Sequence, residues 1–459
     1  MPYASLWHLY NLRESPFFQQ TLRDGGGANA YPVSLFVGRD QDARRLVRTI
    51  VGSPRTSRQV VHAPVGFGKT TLVEYVKHEL RGQRPHILAA SRPVLVQRDD
   101  TANTLALKIL SYVYDVVLAH GDLTTRALES VETAKQLIRA FRVHGGGGGV
   151  SVGVPGLPSV GISASYSTAV VNPSTAQPLD LVPRLLEEFA DVVEAHLGAG
   201  SVVVHVNNLE HLSEAEAEHA GGVLRDLRDA CFLVPGYHWL LVGTTDAVRR
   251  AVGGIPQLRS VFSVAAPLAP LAPDELLALL DRRYAHFRLD PAQPARAPVE
   301  PAAVRELYGL FQGDLRGTLR ALEVATNELL GLGPADAAAP LTWADMGPVL
   351  RHVYEEELAG VLSGPRAEQL RSMARHRLGG VGQTFTQRDL ADVLNVSQTL
   401  ASAVVGEFEA AGYLREAPTE APAKASSASP GAAAEAPRRG RGRPATRYAL
   451  TGASRLIVG

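Results

Sequence analysis

The chain has 459 residues, and its 46 Lys and Arg balance its 46 Asp and Glu, giving a formal net charge of zero. That balance excludes a globally basic nucleic-acid binder, so any attraction to nucleic acid must come from local clusters. No run approaches the ~18 apolar residues of a membrane span, and no charged start leads into an apolar stretch of the signal-peptide kind.

The single cysteine, Cys231, sits in the apolar run Cys231-Phe232-Leu233-Val234. It reads as a buried thiol in a reducing compartment rather than as a ligand or nucleophile. The expectation is a cytoplasmic protein without membrane attachment, of about three domains at ~150 residues each.

Residues 1–34 read as an aromatic strap, with Tyr10, Pro16, Phe17 and Phe18 ahead of the run Gly25-Gly26-Gly27. Such a strap packs on a core. Leu35-Phe36-Val37-Gly38-Arg39 then leads into a helix whose Ala43, Leu46, Val47 and Ile50 fall at helical spacing.

The rest of the chain is organised around the stretch Val60 to Leu72. A β-branched run enters Ala63-Pro64-Val65-Gly66-Phe67-Gly68-Lys69-Thr70-Thr71, after which Val73, Tyr75 and Val76 continue as a helix. This is a phosphate-binding loop: Gly66 and Gly68 permit positive φ, so successive N–H groups converge on phosphate oxygens at a helix N-terminus. Phe67 and Thr71 belong to the same cradle. Lys69 would reach the β- and γ-phosphates, and the Thr70 hydroxyl would ligate Mg²⁺. Ala63 stands where the pattern usually has its first glycine.

A strand region over 86–96 follows, then a helix over about 101–117 capped by Thr101 or Thr104, and another to about Val143. Five glycines, 145–149, precede two alternating runs around Pro155-Gly156-Leu157-Pro158. They predict an inserted hairpin over about 145–172, carrying no Lys or Arg. After a helix over 181–197, Ser201 to Val206 is continuously apolar except for His205, as in a strand buried on both faces. His205 reads as a satisfied core histidine.

The polar end of this strand, Asn207-Asn208-Leu209-Glu210, lies where ligands bind in open α/β sheets. An amide there can hold a magnesium-bound water, but it cannot take a proton as a general base. Either Glu210 fills that role, or the site binds ATP and hydrolyses it slowly.

Ser213 with Glu216 predicts a capping box for a helix reaching about Ala230. The strand Trp239 to Gly243 ends in Thr244-Thr245-Asp246. These hydroxyls could sense the γ-phosphate, while Thr245 or Asp246 could cap the next helix. Arg259 could reach a neighbouring subunit's nucleotide or be an ordinary surface arginine.

From Pro267 the pattern is helical, through 274–286, 301–311 and a helix beginning at Gly313-Asp314-Leu315-Arg316. The order of Leu-Phe-Val-Gly-Arg, the phosphate loop, the strand ending at 207, Gly243-Thr244-Thr245-Asp246, Pro267-Leu268 and Gly313-Asp314-Leu315-Arg316 resembles AAA+ ATPases, nearest to the origin-recognition initiator clade. The resemblance spans roughly residues 30–335. It implies Lys69 and Thr70 as Walker A residues, Asn207 and Asn208 at the Walker B positions, Thr245 or Thr244 as sensor 1, and Arg316 as sensor 2. It implies ATP and Mg²⁺ as cofactors, with Thr70 and Asn207 on the metal side and Lys69, Asn208 and Glu210 at the reacting end. The Asn-Asn pair departs from the family's acidic pattern.

Two helices follow, over 343–362 and 365–378, the second with Arg366, Arg371, Arg375 and Arg377. Thr386 to Asp389 caps a short helix, Asn395-Val396 turns, and Ser397 caps another lined by Leu400, Val404, Val405 and Phe408, which is a helix-turn-helix plan. The segments Tyr413-Leu414 and Arg447 to Leu450 resemble the strands of a winged helix. Between them, residues 417–437 have the composition of a disordered insertion that ends in Arg438-Arg439-Gly440-Arg441-Gly442-Arg443-Pro444. Those arginines resemble an AT-hook core, suited to the narrow minor groove. The presumptive recognition helix has no Lys or Arg; Gln398, Thr399 and Ser402 could touch DNA, and the attraction would come from the wing and the Arg371–Arg377 region.

The expected architecture is α/β: a strap over 1–34, an AAA+ P-loop core with a parallel sheet over 35–265, a helical lid over 266–335, and a winged helix over 341–459 with a basic insertion at 417–446. Duplex DNA is the expected partner, with assembly into a homo-oligomer. The alternative is a nucleotide-gated scaffold whose winged helix holds a protein.

Overall fold

The computed structural model describes residues 6–23, 31–53, 55–84, 86–126, 128–144, 178–198, 200–215, 217–330, 339–378, 383–417 and 446–458. The expected hairpin, the basic insertion and Arg438, Arg439, Arg441 and Arg443 lie outside them. The chain divides into two units: Gln20–Ala269, and Met1–Gln19 together with Pro270–Gly459.

The first unit runs α1 (Asp40–Gly52), β1 (Ser57–His62), α2 (Lys69–Gln83), β2 (Ile87–Ala89), β3 (Val94–Leu95), α3 (Ala102–Leu118), α4 (Gly121–Arg126), α5 (Leu128–His144) and α6 (Pro178–Leu197). It continues with β4 (Ser201–Asn207), α7 (Glu210–Ala215), α8 (Ala217–Leu227), β5 (Tyr237–Gly243), α9 (Thr245–Val248), α10 (Pro256–Arg259) and β6 (Ser263–Val264). The sheet is wholly parallel, in the order β2-β4-β5-β1-β6, with β3 also beside β4. Every residue of β4 and β5 is buried, which is why their sequences lack the alternation of a one-sided strand. Val60 pairs with Leu241 and Val204 with Trp239, so the carboxyl ends of β1, β5 and β4 stand side by side.

Two local expectations are corrected. Ser213 does not begin a helix: Asn208, at φ 68°, turns the chain straight out of β4 and α7 starts at Glu210, leaving Ser213 inside it. Residue 216 lies outside the described residues. Thr244, rather than Thr245 or Asp246, caps α9 by accepting the Ala247 N–H. Of the two candidate caps of α3, Thr101 is the N-cap, and Thr104 completes the box by accepting the Thr101 N–H.

The second unit begins with a 3₁₀ turn, Leu6–Tyr10, and buries Trp7, Tyr10, Phe17 and Phe18. Its helices are α11 (Pro273–His286), α12 (Pro301–Leu310), α13 (Leu315–Leu330), α14 (Trp343–Val361) and α15 (Gly364–Met373). Then come β7 (Phe385–Thr386), α16 (Gln387–Leu394), α17 (Gln398–Ala410), β8 (Leu414–Glu416), β9 (Arg447–Leu450) and α18 (Gly452–Val458). The three strands form an antiparallel sheet ordered β7-β9-β8.

Thr386 caps α16, Asn395 ends it at φ 51°, and Ser397 caps α17 by accepting the Leu400 N–H. Leu400 itself is exposed, and Ala401 takes the inward place with Val404, Val405 and Phe408. Strand β7 and helix α18 had no sequence signal strong enough to announce them: one is two residues long, the other seven.

Candidate functional site

The loop between β1 and α2 is shaped by two left-handed glycines. Gly66 has φ 83°, and Gly68, the residue before α2, has φ 74° and ψ 22°. An L side chain at Gly68 would meet no neighbour, so the requirement there is conformational rather than steric. Lys69 is buried and donates its ammonium to the carbonyls of Ala63 and Pro64, each at 3.0 Å, which spans the loop. Phe67 is buried; Thr70 and Thr71 are partly exposed on the first turn of α2.

Arg39, itself left-handed at φ 59°, donates to the Phe67 carbonyl at 2.8 Å, and Phe36 stacks on Tyr75 of α2 with centroids 4.1 Å apart. These contacts, which the sequence does not announce, tie the Phe36–Arg39 segment to the loop. Gly38, just before the helix, hints in the sequence only at a tight turn; in the structure it and Arg39 both take positive φ.

The carboxyl end of β4 meets the loop through Asn207. Its side-chain amide donates to the Thr70 hydroxyl at 3.2 Å. Asn208 follows in its left-handed turn, and Glu210 opens α7 with its carboxylate accepting the backbone N–H of Thr244 at 3.1 Å. Glu210 therefore bridges the ends of β4 and β5. Gly243 makes room for this: a Cβ there would lie 2.8 Å from the Leu209 Cβ.

Thr245 faces His62, at the end of β1, with Oγ1 3.3 Å from Nδ1. His62 Nε2 lies 2.8 Å from the Ala265 carbonyl, which only accepts, so Nε2 carries the proton and the Thr245 hydroxyl donates to Nδ1. Burial lowers the His62 pKa; the Ala265 hydrogen bond opposes this and the Lys69 charge adds to it. The Thr245 proton is thus committed to His62. Thr244 accepts from Ala247 and keeps its own hydroxyl proton to donate elsewhere.

Beneath the loop lies a fully buried polar group. Glu74 of α2 contacts Lys77 at 2.8 Å and His205 of β4 at 3.4 Å. Lys77 donates to the Ala90 carbonyl at 3.0 Å, the Ala90 N–H reaches Tyr112 Oη at 3.2 Å, and Tyr112 donates to the Val203 carbonyl at 2.8 Å. Burial pulls His205 down to about 4, so its imidazole is neutral at pH 7. Burial pushes the Glu74 carboxyl up, but the His205 and Lys77 contacts outweigh it and hold the group below the usual carboxylate range. His205 is buried in the core as expected, but it is not satisfied there: Glu74 stands 3.4 Å from Nδ1 outside hydrogen-bond geometry, and neither ring nitrogen has a hydrogen-bond partner among the described residues.

The sequence-predicted residues Gly66, Phe67, Gly68, Lys69, Thr70, Thr71, Asn207, Asn208, Glu210 and Thr245 all lie at the carboxyl ends of β1, β4 and β5, or on the turns that leave them. Arg259 is exposed at the end of α10. In the other unit, Arg316 is exposed on the first turn of α13, where Asp314 accepts the Gly317 N–H at 3.0 Å. Gln398, Thr399 and Ser402 are exposed on α17. Of the 371–377 region expected to attract DNA, Arg371 and Arg375 share Glu368, and Arg366, earlier in the same segment, binds both carboxylate oxygens of Glu407, at 2.5 and 3.0 Å.

The donor set suits a nucleotide phosphate with a hard cation. A left-handed glycine loop opens a long helix beside a buried lysine, and a hydroxyl and an amide oxygen stand together at its edge. Among the described residues, no group of three or more His, Cys, Asp or Glu side chains could hold a metal by itself.

No family profile matches the chain, and no curated protein does. Several solved structures are similar to it. The ORC2 protein of Aeropyrum pernix, in ADPNP–ADP complexes, is 16% identical, with 97% of this chain and 96% of that one covered at a TM-score of 0.46. A Walker-type ATPase of Pyrococcus abyssi is 12% identical, with 96% and 99% covered at 0.47. The CDC6 protein of Pyrobaculum aerophilum is 11% identical, with 92% and 96% covered at 0.37. No described helix is long and apolar enough to cross a membrane.

Proposed function

We propose that the chain is a nucleotide-controlled DNA-binding ATPase of the AAA+ kind, organised as a strap, a P-loop core, a helical lid and a C-terminal winged helix. ATP would lie on the Gly66–Gly68 loop with its phosphates against Lys69 and the first turn of α2. Mg²⁺, when bound, neutralises phosphate charge; Thr70 and Asn207 would hold it, the amide through a water. Thr244 is the better candidate than Thr245 for reading the γ-phosphate, because its hydroxyl proton is uncommitted. Arg316 would close over the phosphates from the lid, and Arg259 would reach a neighbour's nucleotide in a homo-oligomer. The winged helix and its arginine-rich insertion would engage duplex DNA, with a cytoplasmic or nucleoid-associated place in the cell.

The observation that carries this reading is the hydrogen bond between Asn207 and Thr70. It joins the end of β4 to the first turn of the helix that follows the phosphate loop, yet does so with neutral groups. That favours binding with slow hydrolysis, with Glu210, at the start of α7, as the candidate carboxylate for water activation.

The test is ATP titration and turnover by the full chain, with and without duplex DNA, beside Lys69→Ala. Binding lost in the variant, and turnover or oligomer size altered by DNA, is expected. Equal ATP binding by both proteins would sink the reading.

A second reading is a nucleotide-gated scaffold whose winged helix holds a protein. It is favoured by the exposed face of α17, which has no Lys or Arg, and by the carboxylate partners of Arg366, Arg371 and Arg375. ATP binding with no affinity for any duplex would select it.

A further inference from the structure

Thr70, Glu74 and Lys77 are spaced four and three residues apart on α2, so they lie along one face of the helix. Asn207, His205 and Val203 are spaced two apart on β4 and share one side of the strand. From Thr70 to Glu74 four helical residues rise about 6.0 Å and two strand residues about 6.7 Å, so the first two levels run almost in step, whereas Glu74 to Lys77 rises only about 4.5 Å. Each level is bridged. Thr70 meets Asn207 at 3.2 Å, Glu74 meets His205 at 3.4 Å, and Lys77 reaches Val203 through Ala90 and Tyr112.

Only the first rung touches the site. Beneath it, Glu74, Lys77 and His205 are 2%, 1% and 0% exposed, too deep for contact with solvent or substrate. Holding a helix to a sheet does not require them: well-packed apolar side chains of similar volume do so at least as well, and buried ion pairs are poor stabilisers. What a polar rung adds is register: Glu74 Oε1 and His205 Nδ1 stand 3.4 Å apart, outside hydrogen-bond geometry, and their electrostatic contact weakens at any other offset between helix and strand.

Building on the nucleotide reading, we infer that Glu74 and His205 are positioning residues for the cation site: their contact sets the separation of Thr70 from Asn207 one level above. The phosphate cradle is built from the loop's own N–H groups and Lys69, which belong to β1 and α2 and do not depend on β4. The cation's partners come one from α2 and one from β4. Slack between helix and strand therefore acts on the cation and spares the phosphates.

The experiment is titration of the full-length protein with ATP in excess Mg²⁺ and again in EDTA, for the unsubstituted chain, Glu74→Leu, His205→Leu and the double variant Glu74→Gln/Lys77→Met. The last removes both buried charges while keeping an amide of the same length beside His205, and it serves if the leucine variants fail to fold. Thermal unfolding is followed in parallel. The leucine variants are expected to lose about 10-fold in affinity with Mg²⁺ and less than about 2-fold in EDTA, with the double variant staying close to the unsubstituted protein in both. Equal losses with and without Mg²⁺, or undiminished Mg²⁺-dependent affinity in a folded leucine variant, would overturn the inference. So would a large Mg²⁺-specific loss in the double variant. If the unsubstituted chain binds ATP in neither condition, the nucleotide reading itself fails and takes this inference with it.

Discussion

Asn207 donates its side-chain amide to the hydroxyl of Thr70 across 3.2 Å, joining the last residue of β4 to the second residue of α2. The Thr70 hydroxyl is also placed to donate to Asn207 Oδ1 at 3.5 Å; an aspartate at 207 would leave only that direction, with Thr70 donating to a carboxylate, and would offer a cation an anionic oxygen. Charge-assisted bonds are about twice as strong as neutral ones. Asn207→Asp is therefore expected to raise Mg²⁺-dependent ATP affinity by about 10-fold, and Asn207→Leu to lower it, as read by titration with and without EDTA.

Glu210 is held by the Thr244 N–H at 3.1 Å, an interaction that a glutamine oxygen can also accept. Glu210→Gln should thus fold and bind ATP as the parent does. If this carboxylate takes the proton from water, turnover falls by about 100-fold, the range for loss of a general base. Unchanged turnover with unchanged binding would remove Glu210 from the reaction.

His238 lies between the hydroxyls of Ser57, at 2.9 Å, and Ser201, at 3.1 Å, and burial pulls its pKa down to about 4. Unfolded histidine protonates near 6.5, so between these values the unfolded chain holds the extra proton and stability rises with pH. The contribution is fully present above about 6.5 and is lost as pH falls through about 4. It amounts to something on the order of 3 kcal/mol. Denaturant midpoints measured from pH 7 to 4 should fall steeply. His238→Gln, less stable at pH 7, should show a shallower decline.

Arg283 of α11 is buried, donates from one nitrogen to the carbonyls of Pro16 and Phe18 at 2.9 Å each, and covers the Phe18 ring at 3.7 Å from its centroid. It fastens the N-terminal strap. Arg283→Ala leaves both carbonyls without this donor and removes the cation from the ring, at a cost of about 3 kcal/mol. Proteolytic cleavage around residues 13–19 should become faster than in the parent, with Arg283→Lys intermediate.

Glu368 holds both Arg371 and Arg375. If the helix-turn-helix engages a duplex, Glu368→Gln releases two cations to its phosphates. Affinity should then rise, and the dependence of log affinity on log salt should steepen by about 1 to 2. A protein-binding role for this unit predicts no duplex affinity in either form.

The sequence alone determined the phosphate loop, because glycine spacing, Lys69 and Thr70 are adjacent in the chain and their chemistry is local. It also determined the continuous apolar strand β4 and the capped pair α16 and α17, whose signals lie within a few residues of one another. Tertiary structure decided the rest, because the deciding contacts join residues far apart in the chain. Asn207 meets Thr70 across 137 positions, and Thr245 meets His62 across 183. The Thr244–Thr245 pair looked interchangeable until backbone geometry gave one a helix to cap and the other an imidazole to bind. Arg366 of α15 looked like part of a basic surface until Glu407, 41 residues away, was folded against it. His205 looked like an ordinary core residue; its acidic neighbour is on another element, and only the packing of α2 on β4 brings Glu74 to it.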